Sequence, residues 1–160
     1  MLIRNVRGIW AFAVVTALAG CQAPRDFAAS TPSEAVRAAQ TVEFYAAQSV
    51  SQPGLRPAAL PGGTVYLPDR PVLTRVDLTD AAALHDQQGR FFVGLRFTRE
   101  GAQKLNELSL RHVGKPLALV LDGELVAAPR IAEPLSQGVL SFSVDSAATA
   151  EEVAARIRGG

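Results

Sequence analysis

The chain has 160 residues, a formal net charge of +1 and a single cysteine. This length suits one compact domain with short extensions, and a lone cysteine excludes an intrachain disulfide. The near-neutral charge without a basic patch argues against nucleic acid as a partner.

The first 20 residues have the layout of a secretory signal peptide. Arg4 and Arg7 form a basic start, and an apolar stretch from Ile9 to Ala19 follows. That stretch is shorter than the roughly 20 apolar residues that a spanning helix needs. We predict that residues 1–20 are removed. Because Arg4 and Arg7 leave with them, the mature chain has a net charge of −1.

Cys21 closes the string LAGC at residues 18–21, which resembles a bacterial lipobox. The small residues let the signal peptidase reach the bond before the cysteine. The Cys21 thiol would then carry a diacylglycerol, and its freed amino group a further fatty acid such as palmitate. The alternative is an ordinary signal peptide or an uncleaved anchor with an incidental cysteine. Gln22 is not the Asp that retains lipoproteins at the inner membrane in enteric-type sorting. We therefore predict a lipoprotein held in the outer membrane and facing the periplasm.

A tether and the start of a domain follow the cysteine. Residues 21–34 are rich in Ala, Ser, Thr and Pro and predict a flexible tether, and residues 35–160 are the predicted domain. Residues 41–49 alternate in polarity and favour a strand, although a helix stays possible. Residues 51–63 hold three prolines and three glycines and predict a loop, and residues 64–67 predict a short strand.

The next segment is ambiguous. Asp77 and Asp80 could cap a helix, yet the string Asp-Gln-Gln-Gly leads into the alternating strand predicted at residues 91–97. We favour a hairpin with Gly89 in its turn, and we leave helix or strand open for residues 78–86.

A helix and a buried strand are predicted next. Thr98 is a good helix N-cap, and apolar residues then recur at helical spacing. Gly114 would supply the left-handed C-terminal cap, and Pro116 prevents continuation. The continuous apolar run at residues 117–121 predicts a central strand.

The chain ends in hairpin signals and a last helix. Asp-Gly at residues 122–123 predicts a type I′ turn that leads into a returning strand over residues 124–131. Residues 139–144 predict one more strand. Thr149 and Glu152 form a capping box for the last helix. Strands outnumber helices, so we predict an α+β fold with a hairpin-rich mixed or antiparallel sheet and two short helices.

No residue pattern points to catalysis. His112 suits the C-terminus of a helix, and His85 beside Asp86 has no further His or Cys to complete a metal site. Asp122 and Glu124 flank a tight turn, where the reason for an Asp is conformational. We expect a protein that is not an enzyme, with no cofactor and no metal.

Several strings resemble one family. GKPLALVLDG at residues 114–123, AAP at 127–129 and EPL at 133–135 follow one another with a strand between, and FTREGA at 97–102 precedes them. Through these strings, residues Thr74 to Gly159 resemble part of SecD, a subunit of the bacterial protein translocase. The part they resemble is the first periplasmic domain of SecD, called the head.

The resemblance implies a domain that contacts extended polypeptide on the periplasmic side of the membrane. SecD is polytopic and couples proton flow to export, whereas this chain shows none of the spanning helices that such coupling needs, so we expect no motor activity. Two hypotheses follow. In the first, the chain is a lipid-anchored binding module for unfolded exported polypeptide or for an envelope or translocase partner. In the second, it is a structural or accessory lipoprotein without clients.

One surface feature separates the two hypotheses. Hairpin-rich sheets with open edges can add an extended peptide through main-chain hydrogen bonds. A continuous apolar groove beside an edge strand therefore favours the binding module, and scattered surface charge favours the accessory lipoprotein.

Overall fold

The computed structural model describes residues 38–159, which form three antiparallel β-sheets and two α-helices. In chain order the strands are β1 (Val42–Ala46), β2 (Arg56–Leu60), β3 (Gly63–Leu67), β4 (Leu73–Thr74), β5 (Leu78–His85), β6 (Phe91–Phe97), β7 (Leu117–Leu121), β8 (Glu124–Ala127) and β9 (Val139–Val144). The helices are α1 (Arg99–Arg111) and α2 (Ala147–Arg158), and a 3-10 turn spans Arg75–Asp77. The α+β prediction with hairpin-rich sheets and two helices is confirmed.

The central sheet has the order β4-β1-β7-β8, and β7 lies in its interior. All five residues of β7 are buried, as the unbroken apolar run predicts. A strand can be apolar on both faces only when both faces of its sheet are covered. The two faces of this sheet accordingly belong to two separate apolar clusters.

The larger cluster joins the central sheet to a second sheet and to α2. That second sheet, the outer sheet, has the order β5-β6-β9. The rings of Phe44 in β1 and Phe97 in β6 lie 5.7 Å apart at a tilted angle and connect the two sheets. Val153 and Ile157 bring one face of α2 into the same cluster.

The smaller cluster lies under the β2–β3 hairpin. Tyr45 and Val120 of the central sheet are buried there against Leu67 of β3. The guanidinium of Arg56 stands 5.1 Å from the centre of the Tyr45 ring. Burial raises the pKa of the Tyr45 phenol, and the neighbouring Glu43 carboxylate adds to this.

The predicted turn at residues 122–123 is confirmed. Asp122 and Gly123 have φ values of 51° and 84°, as a type I′ turn requires. The turn is fixed from outside, because Asp122 Oδ1 accepts a hydrogen bond of 2.9 Å from the Thr41 N–H. Arg156 of α2 approaches Asp122 Oδ2 at 3.9 Å and Glu124 Oε2 at 3.5 Å.

The predicted loop at residues 51–63 is wrong in part, because it contains strand β2. Pro57 of β2 lies opposite Tyr66 of β3. Tyr66 directs its own N–H and carbonyl away from β2, to Gln48. Since that ladder position needs no N–H from β2, the proline is tolerated.

The ambiguous segment is a strand and not a helix. β5 runs from Leu78 to His85 and pairs with β6, so the favoured hairpin is confirmed. Asp80 lies within β5 and does not cap a helix. Asp77 caps the preceding 3-10 turn instead: its Oδ2 accepts from the Thr74 N–H at 2.9 Å, and its Oδ1 pairs with Lys104 Nζ at 2.7 Å.

The turn of that hairpin is closed by Asp86. Its Oδ1 accepts hydrogen bonds of 2.9 Å from the N–H groups of Gln88 and Arg90. The bond from the Arg90 N–H lowers the pKa of the Asp86 carboxyl below its ordinary value. An ionised Asp86 therefore helps to fix the turn that contains Gly89.

Two predicted helix caps are misplaced. α2 begins after Ser146, whose hydroxyl accepts from the Thr149 N–H at 3.1 Å, so the proposed box at Thr149 and Glu152 lies inside the helix. Gly114 does adopt a φ of 81°, but its N–H donates to the Ile131 carbonyl at 2.7 Å and not to α1. Thr98 is the N-cap of α1 as predicted, since its hydroxyl accepts from the Gly101 N–H at 2.9 Å.

Neither helix in the part of the chain that the structure describes is both long and apolar enough to cross a membrane.

Replacing Gly123 tests the turn. Gly123→Val forces a β-branched residue to positive φ and should lower the free energy of unfolding by about 1–3 kcal/mol. Gly123→Asn is the control, since Asn tolerates this conformation and should cost less. Thermal unfolding followed by circular dichroism compares the variants. Equal melting temperatures for the Val variant and the wild type would contradict the assigned turn.

Candidate functional site

A groove of about 600 Å³ lies between the edges of the central and outer sheets. Strands β8 and β9 line its two sides, and the tip of the β2–β3 hairpin and the start of α2 complete it. The lining residues are Leu60, Pro61, Val126, Ala127, Ala128, Pro129, Arg130, Ser141, Phe142, Ser143, Val144, Asp145 and Thr149. This volume is within the usual range for a ligand site.

The groove is mostly neutral. Only Arg130 and Asp145 among its lining residues carry a charge. The Arg130 guanidinium donates a 2.8 Å hydrogen bond to the carbonyl of Gly114, which holds it beside the segment that leads into β7. Apolar side chains and small serine or threonine side chains provide the rest of the lining. Such a surface can bind an extended polypeptide that carries no charged side chains.

The register of β9 shows which of its main-chain groups face the groove. The N–H of Phe97 donates to the carbonyl of Gly138, just before β9, at 2.9 Å. Val93 and Phe142 are partners in the same ladder. In an antiparallel pair only every second residue bonds to the neighbouring strand. Gly138, Leu140 and Phe142 therefore face β6 with their N–H and carbonyl groups.

Ser141 and Ser143 consequently direct their main-chain N–H and carbonyl groups away from β6. Both residues line the groove, and β9 is the last strand of the outer sheet. This is an open sheet edge, which presents unpaired donors and acceptors in a regular row.

The opposite edge of the outer sheet is blocked at one position. Arg158, at the end of α2, donates from Nη1 to the carbonyl of Ala81 in β5 at 2.6 Å. An edge carbonyl that a guanidinium occupies is unavailable to an added strand. The edge of β5 is therefore blocked for strand pairing at Ala81.

The edge of β8 is irregular. Val126 has no partner on β7, because Leu119 pairs with Ala127 and Val120 pairs with Leu125. A bulge of this kind twists an edge strand and interrupts its ladder. β8 therefore offers side chains to the groove, whereas β9 offers a ladder.

The residues that the sequence singled out lie elsewhere. His112 is the C-cap residue of α1, and its Nδ1 lies 3.0 Å from the Leu108 carbonyl. His85 is exposed at the end of β5. Asp122 lies in the β7–β8 turn and Glu124 directly follows it, and both face Arg156. None of these side chains lines the groove.

Cys21 and Gln22 lie outside the residues that the structure describes, so the lipid anchor and its sorting stay predictions. Within residues 38–159 no three His, Cys, Asp or Glu side chains come together in a way that could hold a metal ion. The expectations of no enzyme activity, no cofactor and no metal likewise stay predictions.

The sequence alone does not identify the groove residues. The alternation of residues 139–144 predicts a strand, and serines at every second position predict one polar face. Nothing local shows that β9 ends its sheet, because that depends on which strands pair.

The family model described as the P1 head subdomain of SecDF matches residues 48–160. The protein translocase subunit SecDF of Thermus thermophilus is 43% identical over 91 residues, which are 56% of this chain and 12% of that protein. The SecD subunit of Acidaminococcus fermentans is 40% identical over 90 residues, which are 56% of this chain and 22% of that protein. The chain thus spans less than a quarter of either relative.

Solved structures agree with the fold. A structure of SecDF, described as a membrane component that enhances protein export, has a TM-score of 0.59 and 30% identity, and the match covers 78% of this chain and 64% of that one. SecDF in a super-membrane-facing form gives a TM-score of 0.56 and 30% identity, over 75% of this chain and 19% of that one.

Amide hydrogen exchange tests the open edge. The N–H groups of Ser141 and Ser143 should exchange roughly tenfold or more faster than those of Leu140 and Phe142, since only the latter bond to β6. Nuclear magnetic resonance resolves the four amides, and Val93 in the interior strand serves as the slow reference. Equal protection of all four would mean that the edge is already paired.

Proposed function

Because the chain belongs to the SecDF P1 head subdomain family, we propose that it is a lipid-anchored periplasmic module that binds extended segments of exported polypeptide. The observation that carries this proposal is the groove beside the open edge of β9. The proposal concerns binding alone, with neither motor activity nor catalysis. We do not attribute the activity of the full-length relatives to this chain, since the match covers 12% of one and 22% of the other.

The groove suits an unfolded client for a physical reason. An added strand gains affinity from its main chain, which every polypeptide has, and gains selectivity only from the pockets that receive its side chains. A folded client has already paired its main-chain groups. The module should therefore distinguish unfolded from folded chains while tolerating many sequences.

The predicted lipid anchor on Cys21 complements weak binding. Each buried methylene contributes roughly 0.8 kcal/mol, and two or more acyl chains hold a protein firmly at a membrane. Holding the groove near chains that emerge from the membrane raises its effective concentration there. A dissociation constant in the micromolar range can then be sufficient for client binding at the membrane.

The serine variant of Cys21 tests the anchor. Cys21→Ser removes the thiol that would carry the diacylglycerol, so we expect the protein to remain uncleaved or to leave the membrane fraction. Gln22→Asp is the companion variant and should move a lipid-anchored protein toward the inner membrane. Fractionation of cells that express each variant gives the result. Normal processing and membrane retention of the Ser variant would contradict the lipoprotein assignment.

A titration tests client binding. The full chain should bind an unfolded exported protein with a Kd in the micromolar range, about −8 kcal/mol, and bind its folded form negligibly. Thr149→Trp places a large ring at the groove and should weaken this binding roughly tenfold, as the loss of a few contacts does. Ala148→Trp is the matched control, since Ala148 is exposed on the same helix but does not line the groove.

Equal and negligible binding to both forms of the client would leave the accessory lipoprotein as the better hypothesis. Equal binding by the two tryptophan variants would place the client elsewhere on the surface.

A further inference from the structure

We propose that the occupant of the groove is a β-strand added to the edge of β9, with an apolar side chain at every second position. This inference rests on the proposed function and specifies which polypeptide segments the module prefers.

The main chain of β9 fixes where the added strand pairs. Ser141 and Ser143 each present an N–H and a carbonyl toward the groove, spaced as a regular ladder requires. The facing strand β8 cannot supply a regular second ladder, because Val126 is bulged. The added strand therefore extends the outer sheet, and β8 forms a wall beside it.

The side chains of β9 then determine what each face of the added strand meets. Successive side chains in a strand point to opposite faces of the sheet. Phe142 and Val144 point inward to the larger apolar cluster, where Phe142 is buried at 5% exposure and Val144 is partly buried. Ser141 and Ser143 point to the opposite face and are exposed.

An added strand continues the same pleat, so its own side chains divide between these two faces. One set lies beside Phe142 and Val144 and faces the wall formed by Val126 and Ala127. The other set lies beside the exposed serines and remains in water.

The inward set should be apolar and uncharged. An apolar side chain gains by leaving water on this face, whereas a charged one would lose its hydration without an assured partner. Arg130 and Asp145 are the two charged lining residues, and Arg130 already donates to Gly114. The outward set has no such restriction, so the preferred segment alternates apolar and polar residues.

Two peptides of identical composition test the alternation. One has four Val and four Thr in strict alternation, the other has the four Val grouped together, and both carry two Lys at each end for solubility. The full chain should bind the alternating peptide roughly tenfold more tightly, as expected when half of the inward side chains are lost. Equal affinity for both peptides would overturn this inference and leave the proposed function standing. No binding of either peptide or of unfolded client would overturn both.

Methylation of the main-chain amides of the alternating peptide tests the pairing with β9 without changing the protein. In an antiparallel addition, the residues opposite Ser141 and Ser143 donate their N–H groups to β9, and these are the Thr positions. In a parallel addition, the donors are the Val positions. N-methylation of all Thr or of all Val residues should therefore abolish binding in one pattern only. Binding that survives both patterns, or an equal partial loss in both, would overturn pairing along β9.

A proline variant gives the complementary result on the protein side. Ser143→Pro removes an N–H that faces the groove and no bond to β6, and should weaken the alternating peptide roughly tenfold, the value of about one hydrogen bond. Ala83→Pro is the matched control on the β5 edge, because Ala83, two residues after Ala81, also points its N–H away from β6. Unchanged binding by the Ser143 variant at an unchanged Tm would overturn the inference. If that variant does not fold, the methylated peptides decide.

Discussion

The burial of β7 on both faces is the constraint on which the rest of the described fold depends. A strand of five buried residues requires a cover on each side of its sheet. The outer sheet with α2 covers one face, and the β2–β3 hairpin covers the other. The β2–β3 hairpin and the outer sheet both extend past β8, the edge strand of the central sheet, and come close to each other there. The groove lies there, which is why it is lined by the hairpin tip at Leu60 and Pro61, by β8 and by β9.

The placement of α2 explains why one edge of the outer sheet is blocked at Ala81. Val153 and Ile157 pack into the core while the C-terminal turn of the helix runs beside β5. Arg158 can therefore reach the carbonyl of Ala81, and its neighbour Arg156 can reach the β7–β8 turn. The N-terminus of α2, with Thr149, lies at the groove beside β9 and brings no cation to that edge. The asymmetry follows from the direction of one helix.

The sequence predicts those elements that are determined by residues close together in the chain. The Asp-Gly turn, the Thr98 cap and the unbroken run of β7 each depend on a few neighbouring residues, and each was predicted. The sequence does not predict β2, because Pro57 is acceptable only where Tyr66 directs its main-chain hydrogen bonds to Gln48, a residue distant in the chain. Ser146 and Thr149 both suit a helix cap, and α2 begins at the earlier one, whose hydroxyl accepts from the Thr149 N–H. The groove could not be predicted, since Ser141 and Ser143 become an open edge only through the order of the strands.

Alternation as a selection rule would direct the module to a particular part of an unfolded client. Segments with an apolar residue at every second position become half-buried strands once the client folds. Before that, they are also the segments whose edges pair with other chains and aggregate. A groove that pairs with one edge of such a segment and buries its apolar face would protect both the unpaired edge and the exposed apolar surface. Neither of these proposed interactions depends strongly on an individual side chain. The same site would therefore bind many clients, with an affinity weak enough for release.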